Sequence, residues 1–79
     1  MRYNIVIPPT ADGALKVRLV SWIRKTGDQV TKGQDLAEAA TEKITLYVTS
    51  PADGTLSEIL AEPGAQVEVG AVIGLLEGA

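Results

Sequence analysis

The sequence predicts an all-β domain, a flattened β-barrel or sandwich of two four-stranded sheets with internal pseudo-twofold symmetry. Three observations point there. No window carries an apolar stripe at helical spacing. Eight glycines and four prolines break the chain every few residues into short segments of alternating polarity. The chain also repeats itself: displaced by 37 residues, Leu19 falls on Leu56, Trp22 on Ile59, Gly27 on Gly64, Gln29 on Gln66, Val30 on Val67, Gly33 on Gly70 and Leu36 on Ile73. Two copies are too few for a solenoid. They can close into one body if each half covers the other's apolar face. A second Ala-Asp-Gly, at 11–13 and 52–54, lies outside this register.

Tyr3 to Ile7 alternates and is closed by Pro8-Pro9, which cannot donate to a ladder. Thr10 to Ala14 is a polar loop. Leu15 to Ile23 alternates next, with Leu15, Val17 and Leu19 expected on one face and Lys16, Arg18 and Val20 on the other. Lys25-Thr26-Gly27-Asp28 is a turn, Gln29-Val30 a very short strand, and Thr31 to Gln34 another turn. Asp35 to Ala39 and Ile44 to Thr49 are strands; in the second, Ile44, Leu46 and Val48 are expected inside. Ser50-Pro51-Ala52-Asp53-Gly54 turns the chain into a strand from Thr55 to Leu60. Gln66-Val67 and Ala71 to Leu76 complete the set, with residues 77–79 expected to fray or to begin a linker. Gly33 and Gly70 are expected to adopt positive φ in their turns. Trp22 is expected in the core, given its in-register partner Ile59.

At 79 residues and net charge −3, the chain forms one small domain with little surface to spare for a deep cleft. It has no cysteine and no histidine, which removes disulfides, thiol nucleophiles, the commonest general base and the commonest metal ligands. No basic stripe is available to neutralise phosphates, so nucleic acid is not an expected partner. No apolar run reaches the length of a membrane span. No nucleophile–base pair marks a stand-alone enzyme, and Asp53 and Glu58 are too isolated to serve as a catalytic pair.

One residue stands apart. Lys43 is the only basic residue after Lys32, in a segment that holds eight carboxylates. Its polar pair Glu42-Lys43 separates two strands and implies a tight hairpin with the lysine at the tip. On spacing alone this is an ordinary solvated turn lysine. The repeat adds to that, because the hairpin lies near the chain midpoint, where the first copy hands over to the second. Its pseudo-mate is the meeting of the chain ends, so the termini are expected at one end of the body and Lys43 at the other. That geometry suits a carrier better than a catalyst.

Several motifs in order resemble the lipoyl domain of the acyltransferase component of 2-oxo acid dehydrogenase complexes. Trp22-Ile23-Arg24-Lys25-Thr26-Gly27-Asp28-Gln29-Val30 is similar to the family's Trp-x-x-x-x-Gly-Asp-x-Val. Ser50 to Gly54 resembles its Ser-Pro-x-x-Gly, and Gly64 to Gly70 its second Gly-x-x-Val-x-x-Gly. Thr41-Glu42-Lys43-Ile44 stands where the family has Thr-Asp-Lys and a small or branched residue. Ala11-Asp12-Gly13 falls where it carries Gly-Glu-Gly. No single motif is specific; their joint spacing is. This sequence departs from the pattern at Glu42, one methylene longer than the usual Asp, at Ala40, where an acid is common, and at Ile44, bulkier than the frequent Ala.

The resemblance implies a single hybrid motif over residues 1–79, monomeric as an isolated domain, with lipoic acid in amide linkage on Lys43. It implies recognition roles for Thr41, Glu42 and Ile44 toward a lipoate ligase or lipoyl transferase, and for Asp12 and Gly13 toward the thiamine-diphosphate-dependent decarboxylase. The acyltransferase core and dihydrolipoamide dehydrogenase are the other implied partners, in the cytoplasm or, in a eukaryote, the mitochondrial matrix. Two alternatives stay open: a biotinyl carrier, whose lysine is usually flanked by methionines, and an unmodified hairpin interaction module of the same fold.

Overall fold

The computed structural model describes residues 1–78 and contains eight strands: β1 (Arg2–Val6), β2 (Lys16–Trp22), β3 (Gln29–Val30), β4 (Asp35–Ala40), β5 (Thr45–Thr49), β6 (Gly54–Ile59), β7 (Gln66–Glu68) and β8 (Val72–Gly78). They form two antiparallel four-stranded sheets, ordered β1-β8-β6-β3 and β5-β4-β2-β7. Advancing every strand of the first sheet by four positions in chain order, and counting round from the last to the first, yields the second. The two sheets are therefore one design used twice. They stay separate, so the sandwich describes the fold and a closed barrel does not.

The hydrogen bonds repeat with the strands. Gly27 N donates to the Leu56 carbonyl at 2.8 Å, and its pseudo-mate Gly64 N donates to Leu19 at 2.6 Å. Ile23 N bonds Leu36 as Leu60 N bonds Ile73. The register slips between Leu19 and Ser21 on β2 and between Leu56 and Glu58 on β6, so even the bulges are paired. Gly27, Gly33, Gly64 and Gly70 sit at φ of 96°, 85°, 90° and 89°. Only glycine takes that backbone without strain, which is why glycine stands at both copies of each turn.

Between the sheets lie Ile5, Ile7, Val17, Leu19, Val30, Leu36, Ala37, Ala39, Val48, Leu56, Ile73 and Leu76, all buried. Leu19 and Leu56 meet the core as mates, and so do Leu36 and Ile73. The first and fifth strands pair at a different displacement, Ile5 with Val48, because the loop after β1 and the loop after β5 differ in length. Trp22 packs half-buried against this core and its indole N–H donates to the Ala61 carbonyl at 2.9 Å.

Four expectations about elements need correction. Leu15 is 83% exposed and does not join the buried face of Val17 and Leu19, because β2 begins only at Lys16. Ile44 is half-buried and precedes β5, since Thr41 closes the hairpin before the ladder starts. Leu46 is half-buried rather than fully inside, leaving Val48 as the β5 side chain sealed in the core. The last strand continues through Glu77 and Gly78, which pair with Thr55 and Gly54 on one side, while Glu77 also faces Arg2 on the other. A Cβ on Gly54 would overlap the Glu77 carbonyl, so glycine there lets the two strands close together. Ala79 lies outside the described residues.

Candidate functional site

Lys43 sits at the tip of the β4–β5 hairpin and is exposed. The loop Thr41–Ile44 closes with Thr41 N donating to the Ile44 carbonyl at 2.8 Å. Ordinary two-residue hairpins use primed turns with positive φ. Neither Glu42 nor Lys43 has positive φ, so another device is needed. The device is the Thr41 side chain. Its Oγ1 accepts from the Lys43 and Ile44 amides, each at 3.1 Å, in place of a backbone carbonyl. The hydroxyl then donates its own proton to Asp12 Oδ2 at 2.8 Å. One donor and two acceptor positions are all that a hydroxyl has, and Thr41 uses each of them.

Asp12 reaches this contact from the loop between β1 and β2. That loop is organised locally: Gly13 N donates to the Thr10 carbonyl at 3.1 Å, and Ala14 N to Thr10 Oγ1 at 2.8 Å and Asp12 Oδ1 at 3.3 Å. Gly13 takes φ of 70°, the left-handed region in which a side chain would be strained. Hydrogen bonds to the Thr10 hydroxyl and then to the Thr41 hydroxyl hold the Asp12 carboxyl below its ordinary value. The structure thus brings Asp12, Thr41, Glu42 and Lys43 together around one hollow, which Lys16, Arg18 and Gln66 also line. Gly13 and Ile44 adjoin lining residues in the chain but do not line it themselves. The Thr41 relay was hidden from sequence reasoning; a threonine two residues before the hairpin lysine is the signal that could have revealed it.

The far end of the body is built on the same plan. Gly78 N donates to the Met1 carbonyl at 2.6 Å, the pseudo-equivalent of the Thr41–Ile44 bond that closes the hairpin. β2 starts at the lysine end, with Arg18 beside Ala40, and its continuation into β3 places Val30 against Gly54 and so beside Gly78. The hairpin and the Met1–Gly78 pairing therefore sit at opposite ends of that path, in a body 35 Å long, and the two hollows share no lining residue. Among the described residues the lysine amine forms no ion pair; Met1 and Arg2 both pair with Glu77. No cluster of metal-ligating side chains occurs among the described residues.

A family model described as "Biotin-requiring enzyme" matches residues 4–76. The chain belongs to this biotin/lipoyl family. Among curated relatives, it is 39% identical over its full length to the dihydrolipoyllysine-residue succinyltransferase component of the 2-oxoglutarate dehydrogenase complex of Rickettsia conorii. It is 34% identical over 96% of its length to the protein of the same name from Bacillus subtilis. The chain spans 20% and 18% of those two relatives. Among solved structures, the lipoyl domain of the 2-oxoglutarate dehydrogenase complex from Azotobacter vinelandii superposes with a TM-score of 0.72 at 27% identity, covering 96% of this chain and 98% of that one. The match to the biotin/lipoyl family thus extends from sequence to the whole two-sheet body.

Proposed function

We propose that this chain is a lipoyl carrier domain, bearing lipoic acid in amide linkage on Lys43 and serving a dihydrolipoamide acyltransferase of a 2-oxo acid dehydrogenase complex. The observation that carries the reading is the Thr41-pinned hairpin, which holds an exposed lysine at the end of the body remote from the Met1–Gly78 pairing. The residues present fit the group. The amine is exposed, its backbone is fixed on both sides by Thr41, and an open hollow adjoins it. Lipoic acid supplies a redox-active dithiolane, the sulfur chemistry that a chain without cysteine or histidine lacks.

The domain's own residues present and identify that group. Thr41 and Glu42 give a lipoate ligase or lipoyl transferase a fixed hairpin to read, and Ile44 sets its downstream edge. Asp12 and Gly13 lie beside the same lysine, where a thiamine-diphosphate-dependent decarboxylase can inspect the domain as it approaches. Tethering through the termini raises the effective concentration of the arm at decarboxylase, acyltransferase core and dihydrolipoamide dehydrogenase alike. The curated relatives favour 2-oxoglutarate as the acid served. On this reading the chain works in the cytoplasm or the mitochondrial matrix.

Biotin on Lys43 is the weaker alternative, since Glu42 and Ile44 flank the lysine and Met1 is the sole methionine. Reductive acylation tests the main reading. Lipoylated domain incubated with decarboxylase and 2-oxoglutarate should gain one succinyl mass, and Lys43→Arg should gain none. A Lys43→Arg domain that is still acylated contradicts it.

A further inference from the structure

The hollow beside Lys43 measures about 550 Å³ and carries two further cations, Lys16 and Arg18, on the exposed face of β2. Arg18 stands in register between Ala40 of β4 and Gln66 of β7, neither of which can neutralise it. Lys16 stands opposite Glu68, yet no ion pair involving Lys16 or Arg18 forms among the described residues. The hollow also holds two carboxylates, Asp12, whose oxygens face the Thr41 hydroxyl and the Ala14 amide, and Glu42 at the exposed tip; neither pairs with Lys16 or Arg18.

The pseudo-twofold supplies an internal comparison. An equivalent hollow of about 580 Å³ at the terminal end is lined by Gln29, Asp53, Thr55 and Glu77. Displaced by 37 residues, Lys16 becomes Asp53, Arg18 becomes Thr55 and Ala40 becomes Glu77, while Gln66 retains its counterpart in Gln29. The backbone framework therefore accepts an acid in place of Lys16 and a neutral residue in place of Arg18. The cations belong to the lysine end and not to the fold.

We infer that Lys16 and Arg18 form a docking site in cis for an acyl group with a distal carboxylate, carried on the arm at Lys43. On the carrier reading above, amide formation neutralises Lys43 and leaves Lys16 and Arg18 as the cations of the hollow. An exposed cation–carboxylate pair is weak between free molecules. Attachment to Lys43 keeps the carboxylate at high effective concentration, so a weak pair populates a docked state. A neutral acyl group gains nothing there, and the site thereby favours dicarboxylic over monocarboxylic cargo.

The absence of cysteine from these 79 residues permits a clean test on the domain, because the thiols of the reduced arm are the only ones it carries. Alkylation with iodoacetate or iodoacetamide forms a carbon–sulfur bond, expels iodide and releases the thiol proton. The two products differ only by carboxylate against amide. Backbone amide shifts of Lys16, Arg18 and Gln66 should move at least threefold more in the carboxymethyl form than in the carbamidomethyl form. The difference should vanish in a Lys16→Gln, Arg18→Gln double variant and shrink at high salt. Equal movement in both products, or none in either once mass spectrometry has confirmed alkylation, overturns the docking site and leaves the carrier reading intact. An unmodified Lys43 in the starting mass spectrum overturns both.

Discussion

The Thr41 hydroxyl donates to Asp12 Oδ2 across 2.8 Å and thereby joins two loops separated by 29 residues in the chain. Since the same oxygen accepts the Lys43 and Ile44 amides, the position of the lysine tip and of the neighbouring loop are fixed by one atom. Replacing Thr41 by Val keeps the shape and removes every one of those bonds. Three exposed or partly exposed bonds are lost together, each at the low end of the usual net range, so the cost should be about 1–2 kcal/mol in urea unfolding. Lipoylation followed by mass spectrometry should slow more than stability falls, and Thr41→Ser should restore both.

Asp12 gives the site an acid-side dependence. Its folded-state carboxyl titrates below the ordinary aspartate value, chiefly through the Thr10 and Thr41 hydroxyls. The stabilisation is therefore fully present above the unfolded aspartate pKa and is lost as pH falls through the lower folded value. Asp12→Asn has no such proton to bind. The stability difference between wild type and Asp12→Asn should shrink on acidification across that window, with denaturant unfolding at a series of pH values as the check.

The pseudo-twofold makes a quantitative demand on the core. Leu19 and Leu56 are both fully buried and exchange places under the repeat. Truncation of either to Ala should cost about 3 kcal/mol, within the range for a well-packed leucine. The two losses should agree more closely with each other than with Ile5→Ala, as read from chemical denaturation midpoints.

Gly54 offers a contrasting test, because its substitution adds atoms where none fit. A methyl there meets the Glu77 carbonyl, a backbone atom that can yield only if β8 moves away. Gly54→Ala should cost about 1–3 kcal/mol, the range for overpacking. Amide exchange at Glu77 and Gly78 should quicken while the Lys43 hairpin is unaffected.

These relationships were unequally legible in the sequence. The alternation of Val17 and Leu19 and the displaced pairs Gly27/Gly64 and Gly33/Gly70 announced the strands and turns, because those signals are local or repeat. The exposed Lys43 hairpin followed from two flanking strands and a polar pair. The Asp12–Thr41 bond did not, since no local rule reports a contact between loops so far apart. Leu15 misled for a related reason: alternation continued past the point where pairing with β7 begins at Lys16. The differing displacement of β1 and β5 was also hidden, because loop length shifts a strand without leaving a motif.

The most direct test of the central claim is the intact and fragment mass of the domain after co-expression with a lipoate ligase and lipoate. The account predicts one lipoyl group per chain, located on Lys43 and absent from Lys43→Arg. An unmodified chain, or a lipoyl group on Lys16, Lys25 or Lys32, would contradict it.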